Sequence, residues 1–176
     1  MKFIPTKIDG AYLVEPERLS DERGFFARTW CENEFRQNGL ETKLVQCSFS
    51  FSPKRGTLRG MHYQTEPHAE VKLVRCTRGA IYDVILDLRP GSSTRLAWVA
   101  AELSAENRSA FYIPKGLAHG FVTLTEDCEV YYQMSEFFHA DSARGVRWDD
   151  PAFGIKWPEK VTTISVRDAN YALVNE

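Results

Sequence analysis

Short apolar, β-branched runs recur through this chain at intervals of roughly ten residues, each closed by glycine, proline or aspartate. Ala11–Glu15, Ala80–Leu88, Leu96–Leu103, Ala110–Ile113, Gly120–Leu124 and Glu129–Met134 read as strands. Pro53-Lys54-Arg55-Gly56 and Arg89-Pro90-Gly91 read as turns. Lys43–Ser52 alternates polar and apolar side chains, as a half-buried strand does. Asp21–Gly24 is a charged turn ahead of an aromatic strand, Phe25–Trp30, and Glu32–Asn38 is a short helix stopped by Gly39. The pattern predicts an antiparallel sandwich or barrel and not alternating βα units. The tail, Asp149–Glu176, reads as coil and short helix packed on that barrel, and with no linker or repeat residues 1–176 are expected to form a single domain.

Within this frame the stretch Gly56–Gly79, GTLRGMHYQTEPHAEVKLVRCTRG, carries the densest chemistry. Two strands flank a loop, with His62, Gln64, His68 and Lys72 set along them. The stretch has the outline of a cupin's first metal-binding block, which supplies two His and a Glu before a later Pro-x-Gly-x-x-His adds another His. That later block is present as Pro114–His119. Gln64, however, stands in the place of the second His, and Lys72 is the plausible occupant of the carboxylate position. A carboxamide and an ammonium do not complete a hard or borderline metal site, so no metal is expected. The expected fold is therefore all-β, a double-stranded β-helix (cupin, or jelly-roll barrel) with short helices at the termini. Its ammonium is suited to an oxyanion or a phosphate.

Several of these residues also have a plain structural reading. His68 and His139 fit hydrogen-bonded structural histidines, Lys72 fits a solvated outward face, and Asp168 taken alone reads as surface. Arg23 and Phe26 fit an exposed turn and edge strand, or else an anion ligand and a stacking platform. Tyr131 and Tyr132 are adjacent, so in a strand one points inward and the other outward.

Composition narrows the function classes. The chain has 176 residues, enough for a sizeable core, and its net charge of −2 argues against a nucleic-acid binder. No apolar run approaches a membrane span, and the N-terminus MKFIPTKIDG is not a signal peptide. Cys31, Cys47, Cys76 and Cys128 show no C-x-x-C spacing and read as the scattered reduced thiols of a cytoplasmic protein.

Seven segments now fall into an order. DERGFF at 21–26, GTLRGMHYQ at 56–64, KLV at 72–74, IPKGLAHGF at 113–121, Tyr132, RGVRWDDP at 144–151 and SVRD at 165–168 follow one another along the chain. The set resembles the dTDP-4-dehydrorhamnose 3,5-epimerase family over nearly the whole sequence. The resemblance implies a metal-free, cofactor-independent cupin that forms homodimers, each monomer lending N-terminal residues to its partner's nucleotide site. It implies epimerisation of a nucleotide-linked 4-keto-6-deoxyhexose beside the ketone. By resemblance His62 is the base, Asp168 its partner, Lys72 faces the C4 oxygen and Tyr132 returns a proton from the opposite face. Arg23, Arg59 and His119 are assigned to the diphosphate, where guanidinium forks suit phosphate oxygens.

Departures from the family pattern cluster around the base. Arg28 replaces a Glu that helps read thymine, Gln46-Cys47-Ser48 replaces Gln-Asp-Asn, and Phe138 replaces a stacking Tyr. Ala143 and Arg167 replace a Glu and a Lys. An Arg donates where a carboxylate accepts, so the two do not read the same ring edge. A CDP- or GDP-linked keto sugar, an epimerase acting at one centre, and a non-catalytic sugar-nucleotide-binding cupin therefore stand as alternatives.

Overall fold

The apolar runs fold as strands, and the glycine and proline turns between most of them pass the chain back and forth between two facing sheets. The computed structural model describes residues 1–174. Strands β1 (Lys2–Pro5), β2 (Tyr12–Glu15), β3 (Arg18–Asp21) and β4 (Gly24–Ala27) precede helix α1 (Glu32–Gln37). Then come β5 (Gln46–Ser52), β6 (Leu58–Gln64), β7 (Lys72–Arg78), β8 (Ala80–Asp87) and β9 (Trp98–Ser104). Strands β10 (Ala110–Ile113), β11 (Leu117–Thr123), β12 (Cys128–Met134) and β13 (Ala143–Gly145) follow, and helix α2 (Val166–Ala169) lies in the tail. A six-stranded sheet runs β1-β2-β10-β7-β12-β5 and a five-stranded sheet runs β13-β6-β11-β8-β9, while β3 and β4 form a separate hairpin. Their pairings are antiparallel throughout. This is the expected jelly-roll.

Alternation sorts the side chains. Ile81 and Ile85 of β8, Phe121 of β11, Val74 of β7 and Val130 of β12 meet between the sheets. The outward positions are also covered. Phe35 of α1 caps Val14, Leu73 and Tyr112 on the six-stranded sheet. Tail residues Phe153 and Trp157 cover Met61, Val84 and Leu86 on the other. With both faces covered, every residue of β11 is buried, which is why these strands read as continuous apolar runs.

The expected boundaries need some correction. The aromatic strand expected over Phe25–Trp30 stops at Ala27, and β5 starts at Gln46 and not at Lys43. Strands β1, β3 and β13 were not foreseen. β3 is exposed along its whole length and so carries no burial alternation to detect. β5 alternates as predicted, but inverted: Gln46, Ser48 and Ser50 face the cleft, while Phe49 and Phe51 point outward and are exposed. No helix among the described residues is long and apolar enough to cross a membrane.

Candidate functional site

At one end of the sandwich the inward positions turn polar. On β6, Arg59, His62 and Gln64 line this end, and β11 pairs His119 directly with His62. Across from them β7 contributes Lys72 and β12 contributes Tyr132. Together these strands and the tail wall a cleft of about 890 Å³, a volume suited to a small organic ligand.

Local backbone geometry assembles the proton-handling pair. Register slips between His119 and Phe121, leaving an extra residue on β6 near Gly60. Gly60 has φ +143, and a Cβ there would lie 2.5 Å from the Gly120 Cα. Only glycine allows the two strands this approach. The bulge leaves the Gly60 N–H free to donate to Asp168 Oδ2 at 3.2 Å, while Asp168 Oδ1 lies 2.8 Å from His62 Nε2. Asp168 is itself set by α2, where the Ser165 Oγ accepts from its backbone N–H at 3.0 Å. Burial raises the Asp168 pKa, but hydrogen bonding and charge from His62, the Gly60 N–H and Arg167 outweigh it, and the net shift is downward. A carboxylate here can only accept, so Nε2 carries the proton and Nδ1 is left as the basic nitrogen.

The opposite sheet holds an acid and a cation. Burial pushes the Tyr132 phenol well above its ordinary pKa, against the pull of a 3.3 Å contact with Ser50 Oγ. It is therefore protonated and able to give a proton. Tyr131 points outward and packs on Phe49 at 4.8 Å between ring centroids, so this tyrosine pair divides as an alternating strand requires. The Lys72 ammonium is not on a solvated face: it lies 2.8 Å from Glu70 Oε1 and 3.4 Å from the His62 carbonyl.

The remaining predicted residues fall into two groups. Gln46, Ser48, Arg59, His119, Phe138 and Arg167 line the cleft. Arg59 is braced by Ser52 Oγ at 3.1 Å and the Phe51 carbonyl at 2.9 Å, and Gln46 Oε1 accepts from the Phe138 N–H at 3.1 Å. Arg167 lies 3.4 Å from Asp168 Oδ1 and 3.3 Å from His62 Nε2. His119 sits deep, with Nε2 held at 2.6 Å by Asp83 Oδ1, so Nδ1 alone is left for a ligand. Arg23, Phe26 and Arg28 do not line this cleft. Arg23 pairs with Asp21 at the hairpin tip, Phe26 is 71% exposed, and Arg28 is tied at 3.0 Å to Glu34 of α1.

Sequence reasoning missed Glu70 and Asp83. Both left signals: Glu70 and Lys72 are an i, i+2 pair that shares one side of an extended chain, and Asp83 interrupts the apolar run of β8. Asp83 is wholly buried; desolvation raises its pKa while His119 lowers it, and the net shift is upward.

The cupin metal position has lost its donors to other work. His62 is engaged with Asp168, Lys72 with Glu70, and the Gln64 carboxamide with the His139 N–H and the His68 and Phe137 carbonyls. His68, Glu136 and His139 do cluster at ligand spacing nearby. Their imidazoles stack at 3.4 Å with planes 13° apart, so the in-plane lone pairs run parallel and do not converge on one ion.

A hydrogen-bonded imidazole and carboxylate facing a buried phenol, with a held ammonium beside them, is an arrangement suited to acid–base chemistry in a cupin-fold enzyme. The chain belongs to the dTDP-4-dehydrorhamnose 3,5-epimerase family, whose profile matches residues 5–176. It is 46% identical to the dTDP-4-dehydrorhamnose 3,5-epimerase of Methanothermobacter thermautotrophicus, across 99% of this chain and 95% of that one. It superposes with a TM-score of 0.95 on the Bacillus anthracis enzyme of that name, solved with TDP and PPi bound. There the identity is 39%, over 98% of this chain and 99% of that one. The dTDP-6-deoxy-D-glucose-3,5-epimerase of Legionella pneumophila, in complex with dTDP-4-keto-L-rhamnose, matches with a TM-score of 0.91. Its identity is 38%, over 98% of this chain and 92% of that one.

Proposed function

We propose that this protein inverts C3 and C5 of a dTDP-linked 4-keto-6-deoxyhexose through enolate intermediates, as a single cupin-type domain over residues 1–176. The observation that carries this is the His62–Asp168 pair on β6 and α2 facing the buried, protonated Tyr132 of β12. His62 Nδ1 removes the proton alpha to the ketone, and Asp168 stabilises the imidazolium that results. Lys72 donates to the C4 oxygen as negative charge develops there, which makes the carbon acid reactive. Tyr132 delivers a proton to the other face, and the charge of Arg59 favours the phenolate left behind. Exchange with water returns both groups to their starting states. No step calls on a cofactor.

Arg59, His119 and Arg167 bind the diphosphate side of the substrate in this reading, and Gln46, Ser48 and Phe138 the base. Arg23, Phe26 and Arg28 act in a second copy's cleft, within a homodimer. Two features support that arrangement: the hairpin residues do not line their own cleft, and the edge strand β5 exposes Phe49 and Phe51 on its outer face. Cytoplasmic residence is supported by four free cysteines, two of them buried. The test is solvent-deuterium incorporation followed by NMR. Label entering both C3 and C5 is expected, whereas label at C3 alone marks a single-centre epimerase.

A CDP- or GDP-linked substrate is the second reading, and Arg28 favours it, because cytosine N3 and the guanine N7/O6 edge accept from a guanidinium where the thymine N3–H donates. A reversed contact of this kind is worth about 1–3 kcal/mol when buried, roughly a tenfold to hundredfold change in affinity. Calorimetric titration of dTDP, CDP, UDP and GDP into wild type and Arg28→Glu decides it. Tightest binding of dTDP by wild type, with the ranking unchanged in Arg28→Glu, eliminates this reading.

A further inference from the structure

The cleft contains a carboxylate that the proposed chemistry does not use. Glu70 lies just ahead of β7, its side chain 11% exposed, with Oε1 2.8 Å from the Lys72 ammonium, whose side chain is 12% exposed. Set beside a group that must stabilise an oxyanion, an anion is counterproductive: it repels the developing charge and competes for the same cation. Its presence needs a compensating role, and the contacts around it supply one.

A lysine ammonium has three N–H donors on a flexible four-carbon stem. Glu70 Oε1 takes one donor, and the His62 carbonyl at 3.4 Å takes a second. The third is available to the cleft. Glu70 Oε2 lies 3.3 Å from Gln64 Nε2, whose two N–H donors serve the nearer His68 and Phe137 carbonyls, so the ammonium of Lys72 is the main partner of this carboxylate. Gln64 is buried and pinned to two loops, donating to the His68 carbonyl at 2.9 Å and the Phe137 carbonyl at 3.1 Å and accepting from the His139 N–H at 2.6 Å. Beside the carboxamide at the old metal-ligand position, a carboxylate thus fixes an ammonium.

We propose that Glu70 is a positioning residue: paired with Lys72 at the cleft wall, it holds the ammonium with its third N–H directed at the substrate's C4 oxygen. The inference rests on the reading of Lys72 as the oxyanion partner. A misplacement on the order of 1 Å at such a donor costs about 100-fold in rate.

Four variants test this: Glu70→Ala, Glu70→Asp, Glu70→Gln and Lys72→Met, each followed by kcat and KM. Glu70→Ala is expected to lose about tenfold to a hundredfold in kcat with KM little changed. Glu70→Gln keeps an acceptor for Lys72 in the same place, so it is expected to recover most of kcat. Should Glu70→Ala fold poorly, Glu70→Asp still reads the role, because it keeps the charge but draws the ammonium away by one methylene and is expected to lower kcat with KM little changed. Wild-type kcat in Glu70→Ala and Glu70→Asp, alongside a collapsed kcat in Lys72→Met, overturns the role of Glu70 and leaves Lys72 in place. Unchanged kcat in Lys72→Met removes the oxyanion reading itself, and this inference with it.

Discussion

His62 and Asp168 stand 106 positions apart in sequence yet share a 2.8 Å contact, and the two were not equally legible. His62 sits in a recognisable block between glycines. Asp168 lies in a polar tail, and its own neighbours mark it only as surface; the fold buries it by seating α2 against the β6 bulge. Glu70 and Asp83 were missed for a related reason, because their partners come from tertiary proximity and not from local pattern. His62→Ala is expected to lose roughly 10²–10⁴-fold in turnover, the scale of a general base. Asp168→Asn should lose less, since the base survives with its orientation disturbed. Near-normal deuterium incorporation by His62→Ala would remove it from the mechanism. Asp168 also carries a stability signature. Its pKa in the folded chain lies below the ordinary value of 3.8, so its contribution is complete above that pH and is lost as pH falls through the folded value. Denaturant midpoints of wild type and Asp168→Asn should therefore differ most above pH 3.8 and converge below it.

At the scale of elements, legibility followed burial. Strands β7 to β12 are covered on at least one face, and their apolar runs announced them. The hairpin of β3 and β4 leaves Leu19 and Phe26 exposed, and β3 has no buried side chain to mark a period. The inversion of β5 escaped notice because alternation tells which residues share a face, and not which face is inward. The bulge at Gly60 is where an element sets a site. In Gly60→Ala the new methyl meets the Gly120 backbone at 2.5 Å, at a φ of +143 that alanine resists. Overpacking of this kind costs about 1–3 kcal/mol. The displaced β6 would also withdraw the Gly60 N–H from Asp168. A lowered melting temperature together with reduced kcat is expected. Loss of stability at wild-type kcat would show that the bulge serves packing alone.

At the scale of the whole molecule, the barrel and its cleft could be anticipated from strand spacing and the two cupin blocks, whereas the proposed division of the site between subunits was legible only through the family resemblance. Nothing local in DERGFF states that its side chains miss their own cleft; that follows from a hairpin leaving the barrel edge before α1 brings the chain back. In the proposed homodimer, each cleft combines His62 of one subunit with Arg23 of the other. This makes a prediction that no single-chain site shares. His62→Ala and Arg23→Ala should each be impaired alone, the first in chemistry and the second in diphosphate binding. When the two are co-folded, each mixed dimer has one cleft carrying both defects and one carrying neither. Random pairing puts about half the dimers in the mixed state, so about a quarter of wild-type activity should return. Mixing the folded variants without subunit exchange should return none of it. Activity after co-folding that merely averages the two parents would place Arg23 outside any shared cleft, and the exposed hairpin would then need another explanation.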